Sequence, residues 1–354
     1  MSGRFRSRYR AGDWVRVRSR EEILRTLDAR GELERLPFMP EMLAFCGQRL
    51  RVAASAHKTC DTVNHTGGRR MRDAVHLESA RCNGLGHDGC QARCLIFWKE
   101  AWLEPATPEA SHGEMRAREQ VPSSAESGDE AVLRRATCDR TDPASPTYSC
   151  QATRLFEATT RLAPWSPMQY LDDVLSGNVE WREALRLLSL ALVYNLRRVG
   201  VGYRACAALY ERAHAWLMGT ESPYLRGTIP QNGTTPSLEL GLQPGEYAEV
   251  RPVGEIVDTL DERNRNRGMS FDKEMVRYCG QRFRVLDRVR RIINETTGKM
   301  LELPTASVIL EGTYCTGRYS ERRLLCPRRI VPFWREVWLR RVNGTSAGPT
   351  DADA

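Results

Sequence analysis

The sequence predicts an α+β protein: two related small β-barrel-like (SH3-like) units, each with an inserted helix, separated by a disordered linker and a helical middle segment. Three observations predict it. Residues 12–52 align without a gap to residues 245–285 with 18 identities in 41 positions, including the tetrapeptide Cys-Gly-Gln-Arg at 46–49 and 279–282. Residues 104–147 are rich in Pro, Ser, Thr and Glu and have almost no apolar periodicity, the composition of a chain that cannot offset its ordering entropy. From 148 to 221 apolar residues return at helical spacing. The expected organisation is a basic arm at 1–11, a first unit at 12–103, the linker at 104–147, the helical middle at 148–221, a connector at 222–244, a second unit at 245–343 and a disordered tail at 344–354.

Each unit reads the same way. A short alternating strand (Trp14, Val15 and Val17; Tyr247 and Val250) follows a Gly-acid turn. Ile23, Leu24 and Leu27, or Ile256, Val257 and Leu260, then mark one face of a helix. A strand pair opens at Arg49–Val52 and at Arg282–Val289, and in the second copy it turns through Glu295–Lys299 to return along Met300–Glu311. The unit ends in an aromatic segment whose pairs Trp98/Trp102 and Trp334/Trp338 sit one helical turn apart, a spacing that reads as core anchoring. In the middle, helices are expected over Cys150–Thr159, Pro167–Leu175 and Trp181 to Met218, with a break at Gly200–Gly202. The run Leu185–Leu196 is apolar on most faces and reads equally as a buried helix or a partner surface.

With 354 residues, 41% hydrophobic and 28% charged, the chain reads as globular and large enough for two or three domains. It has no apolar run of about 18 residues, so no membrane span is expected. Its basic opening has no apolar region behind it, so a cytoplasmic location is expected. The net charge of +8 comes almost wholly from arginine, since Lys58, Lys99, Lys273 and Lys299 are the only lysines. The charge is dispersed, with local density at Arg4–Arg10 and Arg318–Arg341, and it reads first as solvated surface and only last as a nucleic-acid footprint.

Cysteine placement is uneven. Cys60, Cys82, Cys90 and Cys94 fall within 35 residues of one another, beside His57, His65, His76 and His87. Gly84, Gly86 and Gly89 permit a tight fold between Cys82 and Cys90. In the second copy Cys60, Cys94 and His76 are replaced by Ile293, Ile330 and Ile309, as though a thiolate site had become an apolar plug. The expectation is a metal held by Cys60, Cys82, Cys90 and Cys94, with His76 as an alternative ligand. Four thiolates suit zinc or an iron–sulfur cluster. Buried free thiols are the simpler alternative, and that reading covers Cys46, Cys279, Cys138, Cys150 and Cys206. His57, His65 and His87 read as exposed loop histidines, and Asp172/Asp173 and Asp258/Asp261 as helix surface. A third alternative is an enzyme that uses the Cys60/Cys82/Cys90/Cys94 centre itself, or Cys60 as nucleophile beside Asp61 and His76. No Walker loop, HExxH, GxSxG or GxGxxG followed by an acid appears in the sequence.

The phrases Lys-Thr-Cys-Asp-Thr-Val (58–63), Val-His-Leu-Glu (75–78), Cys-Gln-Ala-Arg-Cys-Leu-Ile-Phe-Trp-Lys-Glu-Ala-Trp-Leu (90–103), Phe-Trp-Arg-Glu-Val-Trp-Leu (333–339), Tyr-Ser-Cys-Gln-Ala-Thr (148–153) and Ser-Gly-Asn-Val (176–179) resemble a family of uncharacterised bacterial proteins with a duplicated cysteine-containing unit. Such proteins are encoded near polysaccharide biosynthesis genes. The duplication, the cysteine cluster and the missing catalytic motifs point to a binding or scaffold protein, and the resemblance implies a role for it in a glycan pathway, with a glycan-assembly enzyme as protein partner. It implies no catalytic residue.

Overall fold

The computed structural model describes residues 7–108, 128–164, 166–198, 212, 225–319 and 323–342. The expected tail at 344–354, the Gly200–Gly202 break, Cys206 and most of the basic arm lie outside these residues. The chain forms two compact units. One comprises Met1–Val179 with Arg291–Leu301 and Cys326–Arg328, and the other Glu180–Arg290, Glu302–Leu325 and Arg329–Ala354.

The first unit contains β1 (Trp14–Val17), α1 (Arg20–Leu24), β2 (Arg49–Ser55), β3 (Lys58–Cys60), β4 (Gly68–Arg70), β5 (Ala74–Arg81), β6 (Leu95–Lys99), β7 (Leu103–Pro105), α2 (Gly128–Thr137), β8 (Thr160–Arg161) and α3 (Met168–Leu175). The order β6-β5-β2-β1-β7 makes a curled antiparallel sheet, and β8-β4-β3 a second, three-stranded one. Register shifts between Val52 and Ala54 and between His76 and Arg81 interrupt the ladders. Such irregularities bend a strand and increase its twist. Ser19 starts α1 through a reciprocal capping box with Glu22. Residues 128–137 form α2 where composition predicted linker, Cys138–Asp139 pairs with Thr147–Tyr148 as a two-stranded ribbon, and 109–127 of that stretch lie outside the described residues.

In the second unit, α4 (Trp181–Arg198) precedes β9 (Tyr247–Val250), α5 (Val253–Val257), β10 (Arg282–Ile293), β11 (Met300–Leu310), β12 (Trp334–Arg335) and β13 (Leu339–Arg341), with the last three residues of β10 and the first two of β11 counted in the first unit. Its sheet has the order β12-β11-β10-β9-β13, strand for strand the order of the first. On α4, Leu187 and Leu190 are buried while Trp181, Leu185 and Leu192 are exposed. The apolar run is therefore amphipathic over its described part. Among the described residues no helix is long and apolar enough to cross a membrane.

The two cores repeat the same contacts. Phe38 meets Trp98 and Trp102 edge-on with centroids 6.3 and 5.2 Å apart, and Phe271 meets Trp334 and Trp338 at 6.2 and 5.2 Å. Trp102 Nε1 donates to Thr26 Oγ1, and Trp338 Nε1 to Thr259 Oγ1, both at 3.0 Å. All four tryptophans are fully buried, which is the anchoring role their spacing predicted. The four-residue spacing has another origin than an α-helix. Trp98 lies in β6 and Trp102 ends a single 3-10 turn, Glu100–Trp102. Phe38→Leu and Phe271→Leu each keep an apolar side chain but lose two edge-to-face ring pairs. Each is expected to cost about 2 kcal/mol, and to cost the same, as read from chemical denaturation.

Both sheets carry their surface charge in local pairs. Arg282 faces Glu249 at 3.4 Å, Arg340 faces Glu255 at 2.5 Å, and Arg16 pairs with Glu104. Exposed pairs of this kind add little stability.

Candidate metal centre

The sequence places Pro40 at the first position of a 3-10 turn, Pro40–Phe45, where its missing N–H costs nothing. Met42 and Leu43 of this turn enter the core, and Glu41 is buried with them. Cys82 directly follows β5, and its N–H donates to the Cys94 carbonyl at 2.9 Å, extending the β5–β6 ladder by one rung. The chain then reverses. Gly84 (φ +74°), Asp88 (φ +46°) and Gly89 (φ +77°) are left-handed around a 3-10 turn, Leu85–His87. The N–H groups of His87 and Gly89 both donate to the Gly84 carbonyl, at 3.0 and 2.9 Å. A Cβ at Gly84 would lie 1.9 Å from the Cys90 carbonyl oxygen, and one at Gly86 would lie 2.4 Å from Glu41 Oε2. Of the glycines predicted to permit a tight reversal, Gly84 is required by its approach to backbone, and Gly84 and Gly89 are favoured by their left-handed φ.

The reversal brings His87 back against Glu41 and Cys82. Cys82 Sγ donates to Glu41 Oε1 at 2.9 Å, and His87 Nδ1 lies 3.4 Å from the same oxygen. One ligand atom from each of the three residues falls within 4.8 Å of the others, and all three residues are buried. Glu41 Oε2 and His87 Nε2 are buried with no hydrogen-bond partner. Burial pushes the Glu41 carboxyl up, but hydrogen bonding to His87, the His87 charge and the Cys82 thiol together hold it below its ordinary range. Burial drives the Cys82 thiol well above its ordinary range, and the neighbouring Glu41 charge adds to this.

The second unit supplies an internal comparison. Glu274 is the aligned counterpart of Glu41 and is equally buried. Its carboxylate accepts from Thr316 N–H (3.0 Å), Thr316 Oγ1 (2.7 Å) and Tyr319 N–H (2.7 Å). There a buried glutamate ties its 3-10 turn to a loop through backbone and hydroxyl donors. In the first unit a thiol and an imidazole, both metal-ligand types, take the place of those donors.

The expected ligands divide. Cys82 is in the three-residue group. Cys90 and Cys94 join Cys82 and His87 in lining a chamber of about 560 Å³, mouth included, together with Cys150, Phe97 and Ile293. Burial pushes the Cys94 thiol up to about 12 and that of Cys150 to about 11. These are protonated thiols and poor nucleophiles. Among the described residues, no four-thiolate cluster falls within 4.8 Å. Cys60 is buried on β3 in the three-stranded sheet, and His76 lies on β5 with Nδ1 2.9 Å from the Ile96 carbonyl. Asp61, the neighbour invoked for a Cys60 nucleophile, accepts instead from Val63 N–H, Asn64 N–H and Thr66 Oγ1 within its own turn.

Three residues read differently from the sequence alone. His87, expected exposed, is buried because the glycine reversal folds it inward. Cys150, read as a patternless core residue, lines the chamber. Asp173, read as helix surface, is completely buried on α3, with Oδ2 2.5 Å from Lys58 Nζ and Oδ1 3.2 Å from His57 Nε2. The Glu41 signal was present as an identity with Glu274 inside an otherwise apolar segment.

The wall of the chamber includes Arg328 and Glu295. Arg328 pairs with Glu295 at 3.2 Å and donates to the Cys60 carbonyl (3.4 Å) and Thr62 Oγ1 (3.0 Å). The centre thus offers a carboxylate, a thiol and an imidazole to a metal ion, beside a thiol-rich apolar chamber. Comparison of the chain with protein-family models, with curated proteins and with solved structures finds no match.

Proposed function

We propose that this protein binds one divalent metal ion of the zinc class through Glu41, Cys82 and His87, and acts as a binding or scaffold protein built on two related barrel-like units. The observation that carries the reading is the buried three-residue group with two of its donor atoms lacking hydrogen-bond partners. A buried polar atom without a partner costs roughly 1–3 kcal/mol, and an ion held through either atom would recover that atom's cost. One thiolate, one carboxylate and one imidazole suit zinc better than an iron–sulfur cluster, which takes mainly thiolates. The glycan-pathway role and its protein partner rest on the family resemblance alone and remain part of the proposal.

Metal analysis of purified protein tests this directly. Zinc at one ion per chain is expected, with Cys82→Ser and His87→Gln each weakening binding by at least about a hundredfold. Cys60→Ser, placed on a different sheet, is expected to retain the ion. Folded wild-type protein that takes up no zinc or cobalt from excess salt would overturn the proposal. So would retention of the ion by the His87→Gln variant.

A further inference from the structure

We infer that the Glu41–Cys82–His87 centre keeps its fourth coordination position for an exogenous ligand supplied through the adjoining chamber: a small, uncharged, largely apolar molecule with one donor atom. The inference rests on the metal-binding reading above. It goes further by assigning the site a binding role for a ligand of stated chemistry.

The donor count comes first. Structural zinc sites are closed by four protein ligands, whereas sites that act on a substrate hold three and leave one position open. Among the described residues no fourth Cys, His, Asp or Glu joins the three within 4.8 Å. Cys82 and His87 both line the chamber, so the centre borders its space directly.

Charge then selects the ligand. A divalent ion with the Glu41 carboxylate, the Cys82 thiolate and a neutral His87 sums to zero. The other formal charges on the wall also cancel, because Arg328 is paired with Glu295 and hydrogen-bonded to Cys60 and Thr62. An anion entering this space would carry an uncompensated charge against Phe97, Leu95 and Ile293. An uncharged nitrogen, sulfur or oxygen donor on an apolar body avoids that penalty and gains by burial.

Cobalt(II) loading of the full chain, followed by visible spectroscopy, tests the inference with pyridine as the uncharged probe and azide as the anionic one. Pyridine is expected to shift the cobalt d–d bands saturably, and azide to require at least roughly tenfold higher concentration. Ala152→Leu, which fills the chamber from its wall, is expected to keep the cobalt and lose the pyridine response. Cobalt bands that pyridine leaves unmoved overturn the inference while the metal reading stands. Equal or tighter binding of azide overturns the choice of an uncharged ligand. A sulfur-to-cobalt charge-transfer band that weakens in Cys90→Ser or Cys94→Ser would show the fourth position closed by the protein, and also overturns it. Failure of cobalt to bind at all removes the metal reading itself, and is thereby distinguished from the other outcomes.

Discussion

Gly84→Ala is expected to destabilise the first unit by about 4 kcal/mol and to abolish its metal uptake. Two costs combine at this position. A left-handed φ of +74° strains any residue with a Cβ, at roughly 1–3 kcal/mol. The added carbon would also lie 1.9 Å from the Cys90 carbonyl oxygen, which belongs to the backbone and cannot swing aside as a long side chain would. Gly47 separates these terms, because its φ is +78° and nothing lies within 4 Å of its would-be Cβ. Gly47→Ala is therefore expected to show the strain alone, about 1 kcal/mol. The comparison needs only denaturation midpoints and zinc content for the two variants. Equal destabilisation would mean that the reversal relaxes, and that the approach of Cys82 to His87 does not depend on it.

Asp173→Ala is expected to cost about 4 kcal/mol, because it leaves the Lys58 ammonium buried without its counter-charge. Lys58 is 3% exposed and Asp173 is fully buried, so water does not compensate either one. The Tyr170 ring, 4.9 Å from Lys58 Nζ, offers a cation–π contact, a smaller attraction than the lost carboxylate. The double variant Lys58→Met/Asp173→Leu removes both charges and keeps apolar volume, and it is expected to recover most of the loss. Thermal unfolding of the two variants decides between a charge effect and a packing effect. If the double variant is as unstable as Asp173→Ala, the hydrogen-bonded arrangement of α3 against β3 matters more than the ion pair.

These two sites show what a linear reading of this chain reaches. The strands that bury alternate residues, the tryptophans that anchor each core and the glycines around Cys82 all declare themselves locally, because period, size and backbone freedom are local properties. Cys82, Cys90 and Cys94 were legible as a gathering because that reversal lies within a few residues of sequence. Glu41, His87 and Cys150 were not, since their meeting depends on packing between segments up to about a hundred residues apart. Asp173 was obscured for the same reason. A carboxylate on an amphipathic helix looks solvent-facing until β3 supplies Lys58. Cys60 shared the composition of the cluster, but its strand pairs with Gly68–Arg70, in a different sheet from Cys82.

The discontinuity of the first unit also sets an order of events during synthesis. Glu41, Cys82 and His87 all emerge from the ribosome early, on one continuous stretch. The chamber wall contributed by Ile293, Glu295 and Arg328 comes much later, and the Arg328–Cys60 contact spans 268 residues. At translation rates of about 5–20 residues per second, the interval between His87 and Arg328 is on the order of tens of seconds. During that interval the loop that carries Cys82 and His87 exists on the nascent chain while its apolar surroundings remain open to solvent, which, on the proposed metal reading, makes synthesis itself a window for loading. A fragment ending at the first repeat would keep all three ligands and never acquire that wall.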